Sequence, residues 1–368
     1  MMFRVLFWLG ETQVVLSETQ CTWGETQPMW SETQKSCCLF QTFFTCSRYN
    51  GRNGGGWLKK LYLLLLLCFM GGCSEASFPA IPLDTDFVAS LNTLGGSIDF
   101  ISDEAKIVES WELEEAYTGF ALVTDNLMLV YGYTVEKAAL IELSSGKQVA
   151  SMDVGEGTTN AYVYEEMFYI ANGLNNTVSL YNTEGEMLKT QSTGNYPMAM
   201  ISNGKQMYVV NFKDEFLSVF TMELEEVDEW LIPTSSHGLF IQDDELWLGG
   251  HGAGSSPNRS IKRIDIETGE LIGEIEAPLM PINMARAANG HVFIVSHGSS
   301  TVYEISETGE ALNTLKAGAN PFWISSFKDS MVLAGYDDHQ IYFIQSGEIT
   351  KQIQVGKGPF QLIVREVE

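Results

Sequence analysis

The sequence predicts an all-β protein built as a closed ring of seven four-stranded sheets, and three observations support that prediction. Short segments of alternating apolar and polar residues follow one another from residue 84 onward, and no window of a dozen residues keeps the 3.6-residue period of a helix. Glycines recur after a strand and a polar turn, at Gly146, Gly185, Gly269, Gly309 and Gly347. Prolines lie twelve residues after four of these glycines, at Pro197, Pro281, Pro321 and Pro359.

The glycine intervals set a repeat of about forty residues. They are 39, 84, 40 and 38 residues, and the interval of 84 is two periods, with Leu224, Glu225 and Glu226 standing where a glycine is missing. A period near 40 with four short strands in each unit is typical of a β-propeller, whereas solenoids of similar period are helical. Residues 84–368 have room for seven such units, called blades from here on.

Each complete blade has four strands, named A to D from the central channel outward, and six such blades can be assigned. They begin near Tyr117, Glu156, Asn195, Ser235, Leu279 and Ala319. The remaining blade is divided, because PFQLIVREVE at 359–368 matches a lone strand A and residues 87–113 supply strands B to D. Joining the two closes the ring and removes exposed sheet edges. The predicted fold class is therefore an all-β, seven-bladed β-propeller with a composite closing blade, after an N-terminal signal region.

Several of these segments resemble the YVTN, or YncE-like, family of seven-bladed propellers. Residues 207–211 (MYVVN) are similar to the YVTN core of that family, and residues 168–172 (FYIAN) are close to it. The resemblance extends over nearly all of residues 84–368 and implies the propeller fold. It implies little about activity, because propellers host binding proteins, lyases and lactonases alike.

The residues before the repeat predict export and lipidation. Residues 61–70 (LYLLLLLCFM) are apolar, follow two lysines and precede two glycines and Cys73. A run of this length is too short to span a bilayer, which takes about 20 residues, but it is typical of a signal-peptide core. The sequence MGGC resembles a bacterial lipobox, in which the cysteine is lipidated and becomes the mature N-terminus. We expect residues 58–72 to be a lipoprotein signal peptide, Cys73 to be diacylated and 73–83 to be a tether; an ordinary cleaved signal is the alternative.

Residues 1–57 do not fit that signal, which should begin close to its basic residues. They contain GluThrGln at positions 11, 18, 25 and 32, a seven-residue period that glycines and a proline interrupt too often for a coiled coil. Translated tandem DNA repeats give the same period. We therefore interpret 1–57 as a mis-annotated or disordered extension, with Leu58 at the true start codon. All six cysteines lie at or before Cys73, so the propeller has no disulfide.

The charge limits the possible partners of the propeller. Residues 73–368 carry 15 Lys and Arg against 43 Asp and Glu, an excess of 28 negative charges. Nucleic acid is not expected as a partner, although some relatives bind DNA, because phosphate neutralisation needs a basic face. Only four arginines remain in this part, which disfavours a phosphate-rich substrate. We expect a monomer that binds the membrane through its lipid and, in addition, an unknown small molecule or envelope protein.

Candidate ligand-binding residues converge on the face where each strand A begins and each strand B ends, which is the mouth of the channel. They are His237, His251, His297, Tyr336 and Asn211, with His339 in a neighbouring loop. Loops on a rigid scaffold often carry binding residues, and neutral imidazoles near carboxylates suit a divalent cation. The acidic surroundings are expected to raise the imidazole pKa values. The alternative is that these residues only end strands and cap backbone groups.

These observations favour a lipid-anchored, extracytoplasmic binding module at the bacterial cell membrane over an enzyme. The alternative is a lactonase or lyase with a metal-assisted site at the mouth. Propeller lyases resembling streptogramin B lyase use a glutamate two residues before a histidine, and Ser235, Gly249 and Val295 occupy those places here. No catalytic residue and no cofactor are therefore predicted, apart from a possible divalent cation.

Overall fold

The computed structural model describes residues 77–367. This part of the chain folds into seven four-stranded antiparallel sheets arranged in a ring, with one additional two-stranded hairpin, which confirms the predicted seven-bladed propeller. Within 77–367, no helix is both long and apolar enough to cross a membrane. The predicted extension, the signal peptide and Cys73 lie outside the described residues.

The strands agree with the repeat read from the sequence. The strands of blades 1 to 4 in chain order are β1 (Phe87–Asn92), β2 (Ser97–Ile101), β3 (Ile107–Glu112), β4 (Gly119–Thr124), β5 (Leu127–Tyr131), β6 (Lys137–Glu142), β7 (Lys147–Asp153), β8 (Thr158–Tyr164), β9 (Met167–Asn172), β10 (Thr177–Asn182), β11 (Met187–Ser192), β12 (Pro197–Ser202), β13 (Gln206–Asn211), β14 (Phe216–Thr221) and β15 (Glu226–Leu231).

Blades 5 to 7 follow, and the last strand returns to blade 1. Their elements are β16 (Ser236–Gln242), β17 (Glu245–Gly250), β18 (Gly252–Ala253), β19 (Ser256–Pro257), β20 (Ser260–Asp265), β21 (Leu271–Glu276), β22 (Pro281–Arg286), β23 (Val292–Ser296), the short 3₁₀ helix η1 (His297–Ser299), β24 (Thr301–Ile305), β25 (Ala311–Lys316), β26 (Pro321–Phe327), β27 (Ser330–Gly335), β28 (Gln340–Gln345), β29 (Glu348–Gln354) and β30 (Pro359–Arg365).

The glycines that marked the repeat lie in the turns between strands C and D, on the face opposite the mouth. All five have a positive φ, between 67° and 88°, which glycine adopts without steric cost. In blade 4 the equivalent residue is Leu224, with φ 58°. The residue that replaces glycine in the sequence therefore keeps the left-handed turn, which explains why the period continues without the marker.

The core consists of seven apolar clusters, each lying between two neighbouring blades. Strand B of each blade is almost wholly buried, as in β13, where only the first residue is partly exposed. Strand D forms the outer rim, and in β15 only Trp230 is buried. A blade alone cannot cover both faces of its inner strands, so the closed ring is needed to bury them.

Blade 1 closes the ring as a composite of both ends of the propeller. Its strand order is β3-β2-β1-β30, and β30 pairs antiparallel with β1. Arg365 near the end of β30 is buried and donates hydrogen bonds to the carbonyl oxygens of Pro82, Thr85 and Asp125. Its guanidinium also lies 4.5 Å from the ring centre of Phe87. These contacts join the last strand to the first segment of the domain.

The described part of the predicted tether, residues 77–83, packs against blades 1 and 2. Phe78 stacks on Trp111 with ring centroids 4.6 Å apart, and the indole nitrogen of Trp111 donates to the carbonyl of Pro79. Ile81 is buried, and Ser77 forms an isolated β-bridge with Lys147, at the start of strand D in blade 2. The chain therefore enters the domain at the edge opposite the mouth.

Candidate ligand site at the channel mouth

A bulge at the start of strand A sets the side chains that line the mouth. In blades 1 and 3 to 7 the pairing of strand A with strand B shifts after the first residue, so that the second is left out of the ladder. The second residues of strand A in these blades are Phe360, Thr159, Met198, His237, Ile282 and Phe322. Bulges re-aim side chains and occur next to functional sites. The bulge therefore aims these six side chains differently from those of the hydrogen-bonded residues of strand A.

Nine aromatic and imidazole rings form a continuous arc around the mouth, which we call the aromatic arc. Neighbouring ring centroids in the arc are 4.6 to 6.3 Å apart, the range in which aromatic contacts are favourable. Its members come from six of the seven blades: Tyr133, Tyr196, Phe212, His237, His251, His297, Phe322, Tyr336 and Phe360. The arc is a largely apolar set of rings, inclined by 29° to 81° to their neighbours and interrupted by polar ring atoms.

The three histidines of the arc lie side by side. The ring centroids of His237 and His251 are 6.2 Å apart, and those of His251 and His297 are 5.7 Å apart. In all three the ring nitrogen Nδ1 is buried and has no hydrogen-bond partner. A buried polar atom without a partner is uncommon in a folded protein.

The other unpartnered buried atoms lie on the same side of the molecule. Among the described residues, five buried side-chain nitrogen or oxygen atoms lack a partner, and the two besides the imidazoles are Oγ1 of Thr158 and Oδ1 of Asp338. Thr158 begins strand A of blade 3, and Asp338 lies in the B to C loop of blade 7. All five therefore belong to the strand starts and loops of the mouth.

Burial keeps the histidines of the arc uncharged. It lowers the pKa of His237 from 6.5 to about 4, with further contributions from nearby His251 and His297. Burial also lowers the pKa of His251, as does the proximity of His297, and it is the main cause of the lowered pKa of His297. The expected rise of these pKa values is therefore wrong, because the loss of hydration outweighs the negative charge of the domain.

The two remaining histidines are different. Nδ1 of His339 lies 2.9 Å from the carbonyl oxygen of Tyr336 and 3.2 Å from the backbone nitrogen of Gly358. Nδ1 of His291, on the opposite face, lies 2.8 Å from a carboxylate oxygen of Glu304. His339 shares the mouth face but is used within the loop structure, so the unpartnered nitrogens are specific to His237, His251 and His297.

The five predicted site residues separate into two groups. Tyr336 contacts Phe322 and Phe360 in the arc, with ring centroids 5.4 and 6.2 Å away. Asn211 is fully buried; its amide nitrogen donates to Ser218, and its amide oxygen accepts a hydrogen bond from Thr193. Both polar atoms of the Asn211 side chain are thus hydrogen-bonded within blade 4 and its neighbouring loop.

Sequence reasoning missed Phe212, Phe322 and Phe360 as members of the site. Phe322 and Phe360 directly follow the marker prolines Pro321 and Pro359, at the same position of strand A as His237 in blade 5. The repeat alignment already contained this signal. Without the bulge, however, the direction of these side chains could not be deduced from the alternation of the strand.

The histidines do not have the surroundings of a usual metal centre. An imidazole that binds a metal through Nε2 almost always donates its Nδ1–H to a carboxylate or carbonyl, whereas Nδ1 of each histidine in the arc lacks such an acceptor. Within residues 77–367, no three His, Cys, Asp or Glu side chains are grouped so that they could hold a metal ion. No positive feature of the site therefore points to the cation that the sequence suggested.

Blade 5 carries the one large insertion seen in a B to C loop of the described blades. The hairpin of β18 and β19 covers a cavity of about 510 Å³. The cavity is lined by Pro233, Thr234, Ser235, Ser236, Leu248, Gly249, Gly250, Gly252, Ala253, Ser256, Pro257, Asn258, Arg259 and Lys262. Ser236 directly precedes His237, and Gly250 and Gly252 flank His251, so the cavity lies beside the backbone segments that carry these two histidines.

The fold is shared with solved propellers of low sequence identity. A functionally unknown protein from Desulfotomaculum acetoxidans DSM 771 is similar with a TM-score of 0.65 and 12% identity, over 76% of this chain and 99% of that one. Hydrazine synthase of Kuenenia stuttgartiensis gives 0.64 and 13% over 76% and 99%, and a streptogramin B lyase gives 0.59 and 15% over 76% and 92%. The sequence matches no protein-family model and no curated protein. These similarities show the β-propeller fold and nothing finer.

Proposed function

We propose that this protein is a lipid-anchored, extracytoplasmic binding protein that holds a small organic ligand in the mouth of its propeller. The observation that carries the proposal is the set of unpartnered buried nitrogens in the aromatic arc. Leaving a buried polar group without a hydrogen bond costs about 1–3 kcal/mol. A ligand that hydrogen-bonds these groups recovers that cost and stacks on the rings beside them.

The geometry indicates the chemistry of the ligand. Each neutral imidazole offers one donor and one acceptor, and the spacing of 5.7 to 6.2 Å between neighbouring imidazole centroids is best matched by several polar atoms on one molecule. The flanking rings of Phe212 and Phe322, 5.9 and 4.6 Å from His251 and His297, favour a flat apolar body. The proposed ligand is therefore a planar molecule with polar atoms along one edge.

The proposed anchor is consistent with the position of the first described residues. Ser77 lies at the edge opposite the mouth, beside Lys147. It follows Cys73 by four positions, a stretch of chain that reaches at most about 14 Å. A lipid on Cys73 would hold that edge near the membrane and leave the mouth open to the extracytoplasmic space.

A binding experiment separates a ligand site from a purely structural cluster. We would replace His237, His251 and His297 together by Phe, which keeps a ring but removes the nitrogens, and titrate the protein with 2-naphthamide, a planar uncharged amide, by calorimetry. The wild type should bind it, and the triple variant should bind at least about 10-fold more weakly, because a lost hydrogen bond costs about 1–1.5 kcal/mol.

The matched control is His291→Phe, which removes an imidazole from the opposite face and should leave binding unchanged. Equal affinities of the wild type and the triple variant would contradict the proposal. Elemental analysis of the untagged wild-type protein tests the alternative ligand, because a stoichiometric divalent ion that the triple variant loses would assign the histidines to a metal.

The anchor is tested separately. Cys73→Ser should release the protein from membranes and abolish incorporation of labelled palmitate, since no other residue is proposed to carry the lipid. Replacement of another cysteine of the signal region, Cys68→Ser, should leave both unchanged. Membrane retention of the Cys73→Ser protein through washing without detergent would contradict the anchor.

A further inference from the structure

The cavity beneath the blade 5 hairpin differs in charge from the rest of the domain. None of its lining residues is an Asp or Glu, and two, Arg259 and Lys262, are basic. Residues 73–368 as a whole carry 43 acidic and 15 basic side chains. A cavity with basic groups and no carboxylate in such an acidic protein favours an anion.

Arg259 is the arginine whose charge is available in this cavity. Arg259 is an exposed residue, and its guanidinium has no ion pair or side-chain hydrogen bond within residues 77–367. The other three arginines of the described chain are engaged: Arg263 binds Glu245, Arg286 donates to Gln242, and Arg365 donates to backbone carbonyls. Lys262 is also engaged, because its ammonium pairs with Glu274.

The other lining groups suit a small oxyanion. Thr234, Ser235 and Ser256 carry hydroxyls that can donate hydrogen bonds. Gly250 and Gly252 have no room for a side chain, because an added Cβ would lie 2.7 or 2.5 Å from neighbouring backbone atoms. The lining thus combines backbone, hydroxyls, the guanidinium of Arg259 and the paired ammonium of Lys262 with apolar side chains such as Leu248 and Pro257.

We propose that this cavity binds a carboxylate of the same ligand whose flat part lies in the aromatic arc, so that the protein recognises aromatic carboxylates. The proposal rests on the proposed binding function. A planar guanidinium binds a carboxylate through two parallel hydrogen bonds. A single negative charge is favoured over the double charge of a phosphate monoester, because the field of the acidic domain opposes each added charge.

The test compares two probes that share the naphthalene ring and carry a charged carboxylate or a neutral amide, 2-naphthoate and 2-naphthamide, titrated by calorimetry into the Cys73→Ser protein. The naphthoate should bind about 10- to 100-fold more tightly, the range expected for charge-assisted hydrogen bonds. Arg259→Gln should lower the affinity for naphthoate to that for naphthamide and leave the affinity for naphthamide unchanged. Arg286→Gln removes the same charge at the end of β22, on the face opposite the mouth. This variant should keep the preference for naphthoate over naphthamide.

Each outcome bears on one of the two proposals. Equal binding of both probes to the wild type would overturn the carboxylate site while leaving the binding function in place. A preference for naphthoate that survives Arg259→Gln would also overturn it. Binding of neither probe would contradict both proposals, and tighter binding of 2-naphthyl phosphate than of naphthoate would replace the carboxylate by a phosphate.

Discussion

The end of strand B has opposite roles in two parts of the ring. In blades 1, 3 and 4 this strand ends in a buried asparagine, at Asn92, Asn172 and Asn211. In blades 5, 6 and 7 it ends in Gly250, Ser296 and Gly335 and is followed by His251, His297 and Tyr336. In the first part the last residue of each strand is a hydrogen-bonded amide, and in the second a ring of the aromatic arc follows the strand. Blade 4 has both, because Phe212 of the arc follows Asn211.

The difference lies in how completely the polar atoms are used. The amide nitrogen of Asn172 donates to the carbonyls of Val154 and Glu156, and its oxygen accepts from the backbone N–H groups of Leu174 and Asn175. The imidazoles of the other part leave a buried nitrogen unpartnered. The end of strand B can therefore lock a loop through its last residue or present a binding group from the next residue, and the two cases differ in whether the polar atoms of the side chain have hydrogen-bond partners.

Opening the ring at the composite blade should have the largest effect, because it separates the two parts where they meet. Deleting residues 359–368 removes β30, the inner strand of blade 1 and the source of Phe360 and Arg365. The exposed edge of β1 should leave the protein aggregated or sensitive to protease. Light scattering and limited proteolysis would measure this, and a truncated protein that melts as cooperatively and at as high a temperature as the intact one would contradict the closure.

Removing a locking asparagine should have the next largest effect. Asn172→Leu leaves two carbonyls and two backbone N–H groups without their partner, so we expect a loss of about 3–5 kcal/mol in the free energy of unfolding. Urea denaturation measures this. Asn195→Leu, an exposed asparagine at the same face, should cost less than about 1 kcal/mol; equal losses at both positions would argue against the lock.

Acid should weaken the part that contains the histidines. The pKa of His237 is about 4 in the folded protein and 6.5 in the unfolded chain, so the unfolded chain binds more protons between these values. The stabilisation is present above pH 6.5 and is lost as the pH falls toward 4, on the order of 3 kcal/mol in all. The wild type should lose that much more than His237→Phe in urea denaturation across this range, and parallel curves would contradict the buried neutral imidazole.

The smallest expected effect has the opposite sign. His251→Phe should raise the free energy of unfolding of the ligand-free protein by about 1 kcal/mol, because it removes an unpartnered buried nitrogen and keeps a ring. His339→Phe should lower it, since Nδ1 of His339 bonds within its loop. Thermal melts of both variants test this, and a clear loss of stability in His251→Phe would show that its nitrogen has a structural partner.

Much of the fold could be predicted from the sequence because glycine and proline report backbone geometry directly. The turn glycines and the prolines at strand A revealed the period, and the lone strand PFQLIVREVE revealed the composite blade. The candidate site was harder to predict from the sequence. Residue type could not show that the side chain of Asn211 is hydrogen-bonded within blade 4. Nor could it show that the bulge brings Phe322 and Phe360 to the mouth. The signs of the histidine pKa shifts depend on burial, which composition does not report.

The composite blade also imposes an order on folding. Arg365 donates to the carbonyl of Thr85 across 280 positions of the sequence. Until β30 has been synthesised, the edge of β1 has no inner partner, and the ring cannot close. The growing chain therefore carries an open sheet edge through nearly all of its synthesis, and closure is among the slowest kinds of contact to form.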